Sequence, residues 1–367
     1  MSTPERRLNI ASAPGVSAVA DRRVAARRAR CDNPRMNPLT LATLRLMTNG
    51  DFHAGEAIAA RLGVTRATVW NAIRDAQSLG LAIEKVPSRG YRVTPPPVWL
   101  DAHRVATLLG VAAARFDIEV VDAVGSTNAL LLERASQGAR AGTVIAAEVQ
   151  TGGRGRRGRT WIANLGGALT FSVLLRFEQG AAGLSGLSLV VGIAVARALH
   201  AVGATGVGLK WPNDIQLAGR KLGGILIEVQ GDALGPAAAV IGIGLNVRLG
   251  SGEREQIDQP VADLDETGAD ADRNRLLAMV LTELAACAER FAIDGFAAFE
   301  AEFRRWHALQ DAEVLVHLGD GSTVAGRVHG TSPEGALVLK TPAGLKRFHG
   351  GEVSLRAAAP APADARA

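Results

Sequence analysis

The run EVQTGGRGRRGRTW, residues 148–161, places four arginines and four glycines in the eight positions from Gly152 to Arg159. It stands between GTVIAAEVQ and ALTFSVLLRF, two apolar and partly β-branched runs that read as buried strands. Arg and Gly together also compose disordered tails that bind nucleic acid through phosphate contacts and stacking. A run held between two core strands is instead a placed loop. Glycine lets backbone N–H groups approach a ligand closely, and arginine offers planar forks matched to phosphate or carboxylate oxygens. The chemistry suggested is a fixed cradle for a polyanion. It is not a P-loop, because no Lys-Ser or Lys-Thr closes the motif and no helix start follows it.

The rest of the chain must supply the frame for that loop. At 367 residues with 47% hydrophobic content, two or three domains with a sizeable core are expected. Cys31 and Cys287 are the only cysteines, which excludes a disulfide framework or a cysteine-based metal site and fits a reducing cytosol. The basic balance is concentrated at one end: residues 1–36 carry eight arginines against Glu5, Asp21 and Asp32, and the remaining chain has 33 basic and 33 acidic residues. That segment lacks the apolar core of a signal peptide and reads as a disordered extension, with Met36 as an alternative start. Gly180–Ala196 is the one long uncharged run; at 17 residues with four glycines it falls short of a bilayer span and reads as a buried helix.

Residues 37–97 read as a winged helix-turn-helix. In FHAGEAIAARLGVTRATVWNAIRDAQSLG, Ala54, Ile58, Ala59 and Leu62 share a face, Gly63 ends the first helix, and Thr65 caps the second. Val69, Ile73, Ala76 and Leu79 form the second helix's apolar stripe, so its opposite face presents Ala67, Trp70, Asn71 and Arg74, with Arg66 near the start. Asn and Arg read adenine and guanine edges in a major groove. LAIEKVPSRGYRV then reads as two short strands around Pro87–Gly90, a wing whose Lys85, Arg89 and Arg92 suit phosphates. Arg66, Trp70, Asn71, Arg74, Lys85 and Arg89 are the candidate DNA-binding residues. The competing reading is a protein-interaction module.

Pro95, Pro96 and Pro97 suit a stiff linker and a domain boundary. Residues 98–308 mix strands and helices, residues 309–357 form short alternating runs between GDGS, SPEG and PAG turns, and residues 358–367 are a low-complexity tail. Four further stretches in the central unit carry polar groups at strand ends: GSTN (Gly125–Asn128), KWPND (Lys210–Asp214), GRKLGGILIE (Gly219–Glu228) and IGIGLNV (Ile241–Val247). GSTN offers two hydroxyls and an amide to a polar head group. KWPND sets a cation, an amide and a carboxylate around a proline-fixed turn. Gly242 and Gly244 beside Asn246 suit close ligand packing.

GSTN, GRGRRGR, KWPND, GRKLGGILIE and GIGLNV, in that order, resemble the biotin protein ligases. With an amino-terminal winged helix and a carboxy-terminal small barrel, the chain is similar to the bifunctional bacterial form that is also the biotin operon repressor. The resemblance covers residues 38–356 and leaves the arginine-rich extension outside. It implies an α+β multidomain fold: winged helix-turn-helix, central α/β biotin/lipoate-ligase-like domain with a mixed sheet, and small SH3-like β-barrel. It implies ATP- and Mg²⁺-dependent activation of biotin to biotinoyl-adenylate, then transfer to a lysine of the biotin carboxyl carrier protein of acetyl-CoA carboxylase.

Carried over motif by motif, the resemblance makes Lys221, Arg154 and Arg156 catalytic, with Lys221 bridging carboxylate and α-phosphate. Ser126, Thr127, Asn128, Gln150, Gly153, Arg154, Lys221, Gly224 and Gly242 would contact biotin. Arg156, Arg157, Arg159, Trp161, Asn213, Asp214, Asn246 and Arg356 would contact ATP or the adenylate, with Asp214 on the Mg²⁺ side. The arginine loop would order over the ligand. A homodimer would form on adenylate binding, through the GILIEVQ strand (Gly224–Gln230), and bind operator DNA; no membrane partner is implied, and the location is cytoplasmic. The alternatives are a ligase with a non-regulatory winged helix and a lipoate or octanoate ligase of the related fold, which the arginine loop beside KWPND disfavours.

Overall fold

The computed structural model describes residues 37–78, 81–162, 165–270, 272–350 and 354–357. The expected tails, Met36, Cys31 and Leu79 lie outside the described residues.

Helices α1 (Pro38–Arg45), α2 (Gly55–Leu62) and α3 (Arg66–Ser78) precede a hairpin of β1 (Ile83–Val86) and β2 (Gly90–Val93). The local chemistry sets these limits. Asn37 caps α1 ahead of Pro38, Gly63 closes α2 in the left-handed region at φ 65°, and Thr65 Oγ1 accepts the Thr68 N–H at 3.2 Å to start α3. Val69, Ile73 and Ala76 face inward, while Ala67, Trp70, Asn71 and Arg74 are exposed, as the periodicity requires. The core of this unit is continuous with Val149 and Leu165, which flank the arginine loop.

Then follow α4 (Ala102–Leu109), β3 (Asp117–Val124), α5 (Thr127–Ser136), β4 (Thr143–Gln150), β5 (Ala168–Phe177), α6 (Leu187–Ala201), β6 (Val207–Lys210), β7 (Asp214–Leu217), β8 (Arg220–Gly231), β9 (Ala237–Asn246), α7 (Ser251–Gln256), α8 (Arg273–Asp294) and α9 (Glu300–Trp306). The strands make a seven-stranded mixed sheet in the order β3-β4-β5-β9-β8-β7-β6, parallel only between β3 and β4. Alternation divides its faces. Phe171, Val173, Leu175, Ile241, Ile243 and Ile225 pack in one core with α6 and α8. On the other face Leu174, Ala238, Val240 and Ile145 pack on Leu131 and Ala135 of α5.

Beyond α5 that second face loses its bulk. Register pairs become Ser172 with Gly242 and Thr170 with Gly244, and Gly244 pairs in turn with Gly224. Small residues leave a cleft where larger ones would build core.

The uncharged run is a core helix: α6 begins after Gly186, and although Ala181–Ala201 is long and apolar enough to cross a membrane, most of it is buried. After the proline linker, residues 98–100 are pinned by a buried pair. Arg273 Nη2 donates to Glu148 Oε2 and to the Val98 carbonyl, each at 2.6 Å, and Glu148 Oε1 accepts the Leu100 N–H at 2.6 Å. Each charge thus meets a partner that offsets its desolvation.

Strands β10 (Glu313–His317), β11 (Thr323–Thr331), β12 (Leu337–Thr341), β13 (Gly344–Phe348) and β14 (Ser354–Ala357) form a separate antiparallel sheet in the order β13-β12-β11-β10-β14. This sheet occupies the segment expected to be a small barrel. Val314, Val328, Leu339 and Phe348 join the main core, which fixes the sheet against the central unit.

Candidate active site

The cleft over the small-residue face encloses about 890 Å³. Its lining includes Ser126, Thr127, Gln150, Arg154, Arg156, Trp161, Lys210, Asn213, Asp214, Lys221, Gly224, Gly242 and Asn246. One end is a hydroxyl cluster. Ser126 caps α5, the Thr127 N–H donates to Gln150 Oε1 at 2.7 Å, and Ser172 Oγ lies 2.7 Å from Thr127 Oγ1 and 2.6 Å from Asn128 Oδ1. The Asn128 amide donates to Glu228 Oε2 at 2.8 Å and the Leu226 carbonyl at 3.2 Å, so Asn128 fastens α5 to β8 directly over Gly242.

The other end is ionic. Lys221 Nζ lies 2.9 Å from Asp214 Oδ1. A register shift between Ile215 and Gln216 inserts an extra residue in β8, and the Lys221 side chain then folds across Gly224, where an added Cβ would stand 3.6 Å from Nζ. Backbone clamps hold this lysine. Its N–H donates to the Pro260 carbonyl, its carbonyl accepts from Ala262, and the Asn246 amide donates to the carbonyls of Lys221 and Ala262 at 3.3 and 3.0 Å.

The arginine loop folds back on itself between Gly153 and Trp161, with Gly155 N–H donating to the Arg159 carbonyl and Trp161 N–H to the Gly153 carbonyl. An added Cβ at Gly153 would stand 2.5 Å from the Trp161 carbonyl, so the hairpin closes only with glycine there. Arg156 donates to Asn213 Oδ1 at 2.9 Å and to the Gly350 carbonyl. Burial, partly offset by Asp214, pulls its guanidinium pKa down from the ordinary value. Arg154 lies 3.7 Å from Glu228, while Arg157, at φ 58°, and Arg159 are exposed. Asn213 also pairs with the Ile225 backbone through its own amide and carbonyl. The C-terminal sheet reaches the site through Gly350, Leu355 and a hydrogen bond of 3.1 Å from Trp211 Nε1 to the Gly335 carbonyl. Arg356 pairs with Leu315 through the backbone, and its side chain lies outside the described residues.

The structure thus brings the candidate residues from GSTN, the arginine loop, KWPND and the two glycine-rich strands into one cleft. Its asparagines, assigned to ligand from sequence, each commit their amide NH₂ to a protein carbonyl or carboxylate and frame the cleft walls. Three features went unread: Glu228 as partner of Asn128 and Arg154, the segment 256–261 along the rim, and Thr170. Thr170 had a signal, since Ala168, Thr170 and Ser172 alternate with large apolar residues in ALTFSVLLRF and so share the face opposite the core.

A second surface lies on the winged helix. Trp70 is 43% exposed, with the Arg74 guanidinium 4.7 Å from its ring centroid. Arg66 pairs with Glu56 at 3.0 Å, Asn71 and Lys85 are exposed, and Arg89 and Arg92 flank the Phe52 ring at 4.3 and 4.5 Å.

Residues 120–246 match the Biotin/lipoate A/B protein ligase family, residues 40–92 an HTH domain, and residues 312–356 the biotin protein ligase C-terminal domain. The chain is 38% identical to the bifunctional ligase/repressor BirA of Salmonella typhimurium, over 88% of this chain and 98% of that one. It is 36% identical to the bifunctional ligase/repressor BirA of Escherichia coli, over the same shares of each. The biotin protein ligase of Aquifex aeolicus in complex with biotin and ATP superposes with a TM-score of 0.57 at 32% identity, covering 66% of this chain and 99% of that one. The geometry of the cleft and these likenesses agree, and the chain belongs to the biotin protein ligase family in its bifunctional ligase and repressor form.

Proposed function

We propose that Lys221 and the loop arginines carry out the ligase chemistry in this cleft. The chain activates biotin with ATP and biotinylates protein, and its helix-turn-helix unit represses transcription. The observation that carries the assignment of roles is the Lys221–Asp214 pair beside Asn213 and Arg156 at one end of a cleft whose other end is hydroxyl-lined. Ser126, Thr127 and Gln150 receive the ureido head of biotin, and the carboxylate points toward Lys221.

A carboxylate oxygen attacks the α-phosphorus of ATP and pyrophosphate leaves. Both reactants are anionic, so the step needs preorganised positive charge. Lys221 stands between carboxylate and α-phosphate as an electrophilic stabiliser, with no covalent role. Arg154 and Arg156 exchange their present partners for ligand oxygens, and Arg157 and Arg159 close from outside as the loop orders. The amine of a carrier lysine then attacks the acyl carbon and AMP departs.

Mg²⁺ would accompany the nucleotide. Asp214 and Asp258 are the carboxylates lining the cleft, and no group of three or more candidate ligands occurs among the described residues. That fits an ion held chiefly by phosphates and water, with Asp214 as its protein contact. The ion would supply charge neutralisation at the departing oxygens.

The acceptor is the lysine of a biotin carboxyl carrier protein, reached in the cytoplasm. Repression requires a homodimer. β7 pairs β8 only up to Gly224, leaving the Leu226–Gly231 edge without a described strand partner on that side. Glu228 on this edge faces Arg154 of the loop, so ordering the loop on adenylate alters the dimer edge. Incubation with biotin, MgATP and a purified carrier domain tests the acceptor assignment. Biotin on one carrier lysine supports it, and biotinylation that persists after that lysine is changed to arginine overturns it.

A further inference from the structure

We infer that the biotin cleft also takes biotin oxidised at its ring sulfur, the sulfoxide, as a ligand and substrate, with Thr170 setting that tolerance. The inference rests on the biotin reading above. Two buried polar groups in the cleft wall have no hydrogen-bond partner among the described residues: Thr170 Oγ1 and Trp161 Nε1. Thr170 is 4% exposed and lines the cleft, and its register partner is Gly244. Trp161 lies against that same glycine, where an added Cβ would stand 2.9 Å from Nε1. Both residues thus adjoin Gly244 in the cleft wall.

That place falls at the middle of the ligand. Ser172, in the hydroxyl cluster, is two residues from Thr170 along β5, a rise of about 7 Å. Ala168, two residues the other way, pairs with Asn246, which holds the Lys221 backbone. A ligand with its ureido group at Ser126, Thr127 and Gln150 and its carboxylate at Lys221 thus passes Thr170 with its ring and first chain atoms. The only heteroatom biotin offers there is a thioether sulfur, a weak acceptor. A buried hydroxyl and an indole N–H left without a strong acceptor are costly. Oxidation of the sulfur adds one oxygen that accepts from both donors at once. The carboxylate chemistry is unaltered, because the oxidised atom lies remote from it.

The test is isothermal titration of the full chain with biotin and with each of the two sulfoxide epimers, followed by pyrophosphate release with ATP. One epimer is expected to bind within about tenfold of biotin and to release pyrophosphate. Thr170→Val is expected to lower the ratio of that epimer's affinity to biotin's by about tenfold, and Thr170→Ser, which keeps the hydroxyl, to restore the ratio. Both epimers binding more than about a hundredfold weaker than biotin, or a ratio unchanged in Thr170→Val, overturns the inference and leaves the ligase reading intact. Absence of biotin binding itself would instead overturn that reading.

Discussion

Lys221 Nζ lies 2.9 Å from Asp214 Oδ1, so the cleft presents its central cation already paired and aimed across Gly224. Lys221→Met should lower the rate of biotin-dependent pyrophosphate release by about 10²–10³-fold, the loss seen when one preorganised donor at a developing charge is removed. Lys221→Arg should not restore it, because a planar fork replaces a compact point charge at a site built around a glycine. Single-turnover pyrophosphate release is the measurement. A rate within about threefold of the parent would remove Lys221 from the chemistry.

Arg156 joins the loop to the KWPND turn through Asn213 and to the C-terminal segment through the Gly350 carbonyl. Arg156→Gly removes both ties and a fork on the adenylate phosphate, and is expected to cost on the order of 2 to 4 kcal/mol of intermediate retention. Reactive adenylate should then escape and label lysines on added albumin. Unchanged selectivity with a normal adenylate lifetime would place Arg156 away from the phosphate.

Much of this arrangement was legible in the sequence because it depends on local rules. Gly63, Thr65 and the α3 stripe set the helix-turn-helix through capping and a period of 3.6, and β4 and β5 announced themselves as apolar runs on either side of the loop. Other parts depend on long-range placement that no local pattern encodes. The pairing of Glu228 with Asn128, 100 residues away, needs the β8–β9–β5 register. The lock of Arg273 on Glu148 needs α8 to lie over β4. The β8 bulge that turns Lys221 over Gly224 likewise follows from how β7 ends, and GRKLGG alone does not state it.

His307 adds an acid sensitivity to the junction between the catalytic unit and the C-terminal sheet. It is buried, stacks on Phe303 at 5.2 Å, and burial lowers its pKa from 6.5 to about 4. The unfolded chain binds the proton more readily, so this contribution is fully present above pH 6.5 and is lost as pH falls to about 4. Across that window it amounts to about 3 kcal/mol. Urea midpoints at several pH values should show a steeper acid decline in the parent than in His307→Leu. Parallel profiles would contradict the assignment.

A lone winged helix offers one short reading helix, and two half-sites multiply the specificity. Sedimentation with biotinoyl-adenylate should show a dimer, and without it a monomer. On a biotin-operon promoter fragment, Arg74→Ala should cost about 1 to 3 kcal/mol if the exposed guanidinium over Trp70 reads a guanine edge. A persistent monomer with adenylate bound would contradict the dimer. DNA affinity indifferent to Arg74 would contradict the reading face.

We propose that the hydroxyl cluster, Lys221 and the arginine loop together form a biotin-activating site. Its most direct test is titration of the purified chain with biotin and with lipoate, each with and without MgATP, coupled to pyrophosphate detection. Tight biotin binding is expected, tighter still with nucleotide, and pyrophosphate should be released from MgATP with biotin and not with lipoate. Pyrophosphate release with lipoate and none with biotin would contradict it.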